Sequence, residues 1–227
     1  MPAFGLVLPA AGEGRRMGEG PPKAFRLLAG RPIVLRALDA FARISEISER
    51  VLVVRPEDAG SVSARWAADL ANVRVVAGGA MRQDSVLAGV RALSESCEFV
   101  LVHDAARPLV RETAVRAVME TAVRTGAAIV ALSLKDTLKR ADRDGRILET
   151  IPRDGIWRAQ TPQAFRRSLL LDALERARAG GAHLTDEASA VERIGRPVAI
   201  VEGHETNIKI TTPDDLRLAE AILAAGF

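Results

Sequence analysis

Short, unbroken apolar runs recur along the chain at residues 4–8, 51–54, 73–77, 99–102, 127–134 and 197–201. Apolar runs of strand length bounded by turn residues read as strands buried on both faces. Between most of them lie amphipathic patterns of helical length, at 33–43, 61–70, 85–93, 112–125 and 167–178. A last helix is expected over 213–224, with Thr212 as N-cap and Pro213 at the first helical position. Strands alternating with helices predict an α/β fold, a doubly wound and mostly parallel sheet within a single domain of residues 1–227. One stretch, 133–160, breaks the alternation. Its Asp144-Gly145 pair, set between two alternating runs, is a hairpin signal. No helix follows to cover that hairpin, so either it packs on its own domain or it projects and another subunit covers it.

Composition narrows the class. With 227 residues, 48% of them hydrophobic, the chain can bury a core without disulfides or metals. The lone cysteine, Cys97, excludes an internal disulfide and reads as a structural thiol in a reducing compartment. No secretory leader pattern opens the chain and no apolar run reaches membrane-spanning length. A cytoplasmic protein with no membrane partner is expected. The net charge is only +3, the arginines are scattered among 29 acids, aromatics make up 4% and tyrosine is absent. That argues against a nucleic-acid surface, which concentrates cations and interleaves stacking rings. The 28 arginines and four lysines carry a sharper message. A lysine kept in so arginine-rich a chain is needed as a compact point charge, and Lys23 and Lys209 both lie in segments suited to phosphate.

The first such segment follows the strand at 4–8. Pro9 opens into Ala10-Ala11-Gly12-Glu13-Gly14-Arg15-Arg16, with Lys23 a few residues on. Glycines let backbone N–H groups approach phosphate oxygens, and in parallel α/β sheets ligands bind outside the carboxyl ends of strands. The spacing is not a dinucleotide fingerprint, since Met17 stands where the third glycine belongs, and no Walker-type Gly-Lys-Ser/Thr occurs. The second segment, Val102-His103-Asp104-Ala105-Ala106-Arg107-Pro108, places Asp104 at another strand's carboxyl end. A single carboxylate beside a triphosphate suits Mg²⁺ held mostly by phosphate oxygens, and Arg107 could grip a further phosphate. A helix N-cap is the alternative role for Asp104. His103 reads as a packing histidine, and His183 and His204 lack metal-ligand spacing. In the third segment, Gly78-Gly79-Ala80-Met81-Arg82-Gln83-Asp84-Ser85, Ser85 is expected to cap the next helix or to meet a base edge, while Arg82 has no evident structural duty. Asn207-Ile208-Lys209-Ile210-Thr211 lies beside the final helix, and Thr137 and Arg153 lie on the two limbs of the hairpin.

In series these motifs, with Asp136-Thr137-Leu138-Lys139, Thr161-Pro162-Gln163 and Thr185-Asp186-Glu187-Ala188-Ser189, resemble one family across nearly the whole chain. It is the 2-C-methyl-D-erythritol 4-phosphate cytidylyltransferases of isoprenoid biosynthesis. The resemblance implies transfer of a cytidylyl group from CTP to 2-C-methyl-D-erythritol 4-phosphate by a Rossmann-like nucleotidyltransferase that uses Mg²⁺ or another divalent cation. Arg16 and Lys23 would stabilise the transition state. Ala10, Ala11, Gly12, Glu13, Gly79, Arg82, Ser85, Asp104 and Ala105 would form the CTP site. Asp104 would lie near Mg²⁺ and the acceptor, and Arg107, Thr161 and Lys209 would meet the acceptor phosphate. Thr137 and Arg153 would reach the neighbouring subunit's site from a β-arm over 133–156, through which the family forms a homodimer. Arg153 and Lys209 thus join the residues expected to act in catalysis. Gly20-Pro21-Pro22 departs from the family pattern by stiffening the loop before Lys23. Rival readings are a cytidylyltransferase for another polyol phosphate, such as ribitol 5-phosphate, and a non-catalytic nucleotide-binding module. A fusion to the next cyclase of the route is not expected in a chain that ends at Phe227.

Overall fold

The computed structural model describes residues 1–12 and 14–226, Arg15 by its backbone. Strand β1 (Phe4–Pro9) leads, through a small ladder of β2 (Leu27–Leu28) and β3 (Arg31–Pro32), into helix α1 (Ile33–Asp39). There follow β4 (Ile47–Val54), α2 (Ala59–Arg65), β5 (Arg74–Ala77), α3 (Arg82–Ala92), β6 (Phe99–Val102), α4 (Glu112–Thr125) and β7 (Ala127–Ser133). A hairpin of β8 (Leu138–Ala141) and β9 (Ile147–Ile151) precedes β10 (Trp157–Arg166), α5 (Arg167–Ala179), α6 (Glu187–Arg193), β11 (Ala199–Glu202) and α7 (Pro213–Ala224). Seven strands form one sheet in the order β11-β7-β10-β6-β1-β4-β5. All its pairings are parallel except those of β10, which runs antiparallel between β6 and β7.

Successive residues of β1 serve opposite faces, as strand geometry requires. Leu6 and Leu8 join a core with α1 and α4, whereas Val7 joins a second core with α3, α5 and α6. Helices therefore cover both faces, as the unbroken apolar strands predict. A third, smaller cluster ties Met17 of the glycine-rich segment to Ile210 and to Ala219 of α7. Among the described residues no helix is long and apolar enough to cross a membrane, and Cys97 is free and buried.

The differences from the sequence reading are local and informative. Helix α1 stops at Asp39, and α2 begins and ends earlier than the pattern suggests. Helix α3 starts at Arg82, so Ser85 lies inside its first turn and Met81, not Ser85, stands at the cap position. Strand β10 and helix α6 were not expected. Pro162 argues against a central strand, yet β10 runs through the middle of the sheet. Between Ala159 and Gln163 its register against β7 shifts, and the proline sits in that irregularity, where the ladder needs no N–H. The hairpin forms a separate two-stranded sheet, with Ile147 and Leu148 more than 60% exposed.

Close helix–sheet approach sets where α3 delivers its first residues. A Cβ on Gly89 would meet Val7 Cγ1 at 2.4 Å and Val53 Cγ2 at 2.9 Å. Glycine there lets α3 lie directly on β1 and β4. Replacing it forces the helix off the sheet, an overpacking cost of about 1–3 kcal/mol. Gly60, in α2, has no atom within 4 Å of its would-be Cβ. In urea unfolding, Gly89→Ala is expected to lose stability on that scale, while Gly60→Ala gains about 0.4–1 kcal/mol by restricting the unfolded chain. Equal effects of the two substitutions would contradict this account of α3.

Candidate functional site

Four parallel strands end at one edge of the sheet. Beyond β1 lie Ala10-Ala11-Gly12 and Gly14, beyond β4 the Arg55-Pro56-Glu57 turn, beyond β5 the pair Gly78-Gly79, and beyond β6 His103-Asp104. Residues of these segments, Gly79 and Asp104 among them, line with Lys23, Met81, Arg82, Ser85 and Lys209 a cavity of about 560 Å³, within the range of small-molecule sites. Gly14 has φ of 67°, a left-handed conformation that favours glycine, and a Cβ there would stand 2.6 Å from the Cβ of Lys23. The loop thus presses its backbone against the Lys23 stem and directs that lysine into the cavity.

A second cavity, of about 200 Å³, adjoins the first and is walled by Arg107, Gln160, Thr161, Gln163, Thr185 and Asp186 among others. Arg82, Asp104 and Lys209 line both cavities. Asp104 is the hub of these three. Its Oδ2 lies 2.7 Å from Lys209 Nζ and 3.6 Å from Arg107 Nε, and its Oδ1 lies 3.1 Å from Arg82 Nη2. Burial would raise the Asp104 pKa, but Arg82, then Lys209 and Arg107, outweigh it and hold the carboxyl far below its ordinary range. Asp104 is therefore a permanent anion. Around it stand more cations than it can neutralise. Burial first, and then the charge of Lys209, push the Lys23 ammonium below its ordinary pKa, with Arg16 adding to the repulsion and Asp104 opposing it.

The walls of the smaller cavity are pinned by buried polar groups. Because β10 is antiparallel, its early residues lie just past the carboxyl end of β6. The Asp104 N–H donates to Thr161 Oγ1 at 3.0 Å, and the Thr161 hydroxyl donates to His103 Nδ1 at 3.0 Å. The opposite ring nitrogen of His103 donates to Arg107 O at 2.9 Å, which fixes the tautomer. Burial lowers the His103 pKa to about 4, so the ring stays neutral and braces the Asp104 turn against Phe41, edge to face. Asn207 Nδ2 donates to Thr161 O at 2.8 Å and to Gln160 Oε1 at 3.1 Å. The Arg107 guanidinium donates to Asn207 O at 2.7 Å, and Ile210 N–H donates to Ala106 O at 2.9 Å. The segment carrying Lys209 is thereby laced to the Asp104 turn. Asp215 holds its far end, accepting from Thr211 N–H, the Thr211 hydroxyl and Thr212 N–H at 2.6–2.8 Å. Arg107 Nε is buried with no hydrogen-bond partner among the described residues, 3.6 Å from Asp104 Oδ2.

Of the residues expected from sequence, Ala10, Ala11, Gly12, Lys23, Gly79, Arg82, Ser85, Asp104, Ala105 and Lys209 line the larger cavity. Arg107 and Thr161 line the smaller one. No helix begins at Asp104, since α4 starts at Glu112, so the capping alternative is removed. Ser85 accepts from Gly79 N–H and donates to Met81 O, both at 3.2 Å, which fastens the Gly79 turn to α3. Arg16 is exposed, in a single 3-10 turn of Arg15–Met17, and lines neither cavity. Thr137 and Arg153 flank the hairpin strands and line neither cavity, and the Arg153 guanidinium donates to Lys135 O. Glu13 lies outside the described residues. Arg82 has the structural duty that its sequence context hides, a two-pronged bond to Glu187. Glu187, Gln160, Asn207 and Asp215 were not assigned roles from sequence. Glu187 and Asn207 sit in motifs that the resemblance picked out, and burial of a polar side chain is the signal that marks them.

The chain that builds this edge of the sheet is similar to known proteins along nearly its whole length. A profile of the 2-C-methyl-D-erythritol 4-phosphate cytidylyltransferase family matches residues 4–225. The protein of that name from Geobacillus kaustophilus is 46% identical over 98% of this chain and 97% of its own. The crystal structure of 4-diphosphocytidyl-2C-methyl-D-erythritol synthase from Anaerococcus prevotii has a TM-score of 0.85 and 32% identity, over 98% of this chain and 96% of that one. For 2-C-methyl-D-erythritol 4-phosphate cytidylyltransferase from Thermus thermophilus the TM-score is 0.81 and the identity 36%, over 99% and 100% of the two chains. Likeness of this extent in both sequence and fold leaves one assignment: the chain belongs to the 2-C-methyl-D-erythritol 4-phosphate cytidylyltransferase family.

Proposed function

We propose that the protein transfers a cytidylyl group from CTP to 2-C-methyl-D-erythritol 4-phosphate, giving 4-diphosphocytidyl-2-C-methyl-D-erythritol and pyrophosphate, as a cytoplasmic step toward isoprenoid precursors. The observation that carries this reading is the junction itself. Two cavities meet at Arg82, Asp104 and Lys209, where one substrate's phosphate can reach the other's. CTP would fill the larger cavity, its phosphates along the Ala10–Gly14 backbone and Lys23. The acceptor phosphate would enter the smaller one, against Arg107, Thr161 and Lys209.

The reaction is in-line attack of an acceptor phosphate oxygen on the α-phosphorus of CTP, with pyrophosphate leaving. Both reactants are anions, so the barrier is one of positioning and mutual repulsion. A phosphate monoester is already largely ionised near neutral pH, since its second pKa is about 6. No general base is required, and His103, neutral and engaged at both ring nitrogens, is not placed to be one. Lys23 and Arg16 would meet the developing charge at phosphorus and on the leaving group, and Lys209 and Arg107 would hold the nucleophile. Asp104 suits a divalent cation carried mainly by phosphate oxygens, because no group of three or more His, Cys, Asp and Glu side chains among the described residues could hold a metal by itself. When bound, such an ion would neutralise phosphate charge and fix the triphosphate conformation. Thr137 and Arg153 would serve a neighbouring subunit through the 133–156 arm, whose exposed Ile147 and Leu148 suit burial in a homodimer.

A panel of four nucleoside triphosphates against several polyol phosphates tests the reading directly. Pyrophosphate release confined to CTP with 2-C-methyl-D-erythritol 4-phosphate is expected, and a preference for ribitol 5-phosphate would replace the acceptor. Lys23→Ala should lower kcat by at least about a hundredfold, the scale of removing one preorganised donor; near-normal turnover refutes its role. Only the Lys23 cation is useful and its pKa is lowered, so kcat/KM for CTP should fall as pH rises through a value below the ordinary lysine range. In Lys23→Arg that alkaline limb should shift upward, and superimposable limbs would contradict the assignment. Mixing inactive Lys23→Ala with inactive Arg153→Ala protein should recover activity in mixed dimers. No recovery after demonstrated subunit exchange would rule out an arm acting in trans.

A further inference from the structure

Glu187 is a carboxylate shut away from solvent, 1% exposed, in the first turn of α6. A buried carboxylate is costly unless it is paired and hydrogen-bonded. Its partner is Arg82, which donates from Nη1 to Oε1 at 2.6 Å and from Nη2 to Oε2 at 3.1 Å. A two-pronged bond of this kind fixes the plane of the guanidinium as well as its distance. The same Nη2 also donates to Asp104 Oδ1 at 3.1 Å. Arg82 is thus stretched between a fully buried anion behind it and the anion at the junction of the two cavities.

Glu187 is itself placed without help from Arg82. Gln83, the next residue of α3, donates to Ala182 O at 2.8 Å and accepts from Leu184 N–H at 2.9 Å. Gln163 of β10 donates to Asp186 Oδ2 at 2.8 Å and accepts from Ala188 N–H at 3.0 Å. Asp186 in turn caps α6 by accepting from Ser189 N–H at 3.0 Å. Two buried amide side chains therefore strap the segment around Glu187 to α3 and to the central strand. A fold that needed only cohesion here would do as well with apolar residues of similar volume. What the buried anion adds is direction. Without it, Arg82, already bonded to Asp104 through Nη2, would keep Asp104 as its remaining anionic partner at the site, and its second prong would be free to turn into the junction.

We propose that Glu187 is a positioning residue, one that fixes the plane of the Arg82 guanidinium between itself and Asp104 and so sets how Arg82 meets the phosphates of the nucleotide. This rests on reading the larger cavity as the CTP site. The role predicts an effect on nucleotide affinity that a purely structural part would not have. A folding defect lowers the amount of active enzyme and its melting temperature but leaves the KM of the folded fraction unchanged.

The test is a set of variants, Glu187→Gln, Glu187→Asp, Arg82→Gln and the double variant Arg82→Gln/Glu187→Gln. Each is measured by thermal melting, by KM for CTP and by calorimetric titration with CTP in the absence of acceptor. Glu187→Gln should raise both KM and the calorimetric Kd about tenfold or more, the scale of a misdirected contact. Glu187→Asp, which keeps the charge but shortens the reach, should fall between it and the native protein, and it carries the test if Glu187→Gln does not fold. The double variant should be no worse than Arg82→Gln, because Glu187 acts through that arginine. Unchanged affinity in a folded Glu187 variant, or losses that multiply in the double variant, would overturn the proposal. Because titration with CTP needs no turnover, native protein that binds CTP yet releases no pyrophosphate with the acceptor would sink the proposed reaction and leave the role of Glu187 standing.

Discussion

The site depends on one buried anion held among too many cations. Asp104 sits at the end of β6 with Arg82, Lys209 and Arg107 around it and Lys23 close enough to feel its charge. Cations packed this tightly repel one another, and burial removes the water that would screen them. Asp104, and Glu187 behind it, make the cluster tolerable without neutralising it. The residual positive potential is what an incoming triphosphate and a phosphate monoester would meet. Such potential is valuable because it is in place before the substrates arrive, so no reorganisation accompanies the reaction.

The sheet explains how the cluster is assembled from distant parts of the chain. Parallel strands β1, β4, β5 and β6 all open at the same edge, and each contributes a short segment there. Strand β10 enters the same sheet from the opposite direction. Its register irregularity after Ala159 places Gln160 and Thr161 beside the Asp104 turn, where they meet Asn207 and His103. An all-parallel arrangement would carry β10's early residues to the other edge. The antiparallel insertion therefore creates the second cavity. Close packing does the rest: Gly89 lets α3 lie on the sheet, and its N-terminal turn brings Arg82 to the junction.

The rigidity of this edge is polar rather than apolar. His103, Thr161, Gln160, Asn207, Gln163 and Gln83 are all shielded from solvent, and their hydrogen-bonding groups, Asn207 Oδ1 excepted, are spent on backbone or on a neighbouring side chain. Buried networks of this kind are costly when incomplete and specific when complete. Arg107 Nε, buried and without a hydrogen-bond partner among the described residues, lies 3.6 Å from Asp104 Oδ2. The same logic accounts for Ser85, whose hydroxyl is engaged by the backbone of the Gly79 turn and so shapes the cavity wall rather than capping a helix.

Much of this was legible in the residues alone, because local patterns carry it. Unbroken apolar runs gave the parallel strands, Asp144-Gly145 gave the hairpin, and the retained lysines at 23 and 209 pointed to phosphate before any fold was known. Lys23 and Lys209, far apart in sequence, do line one cavity. Hidden from the sequence were features made by contacts between distant segments. Strand β10 carries a proline and few apolar residues, so only its neighbours make it a strand. Helix α6 hides because a buried glutamate interrupts its apolar face. The partner of Arg82 lies 105 positions away, a pairing no spacing rule can find. Sequence by itself marked most of the strands and helices and the glycine-rich loops, since side-chain periodicity and backbone freedom are local properties. Tertiary structure decided which charges share one carboxylate, since electrostatic pairing depends on distance in space and on the water that packing removes.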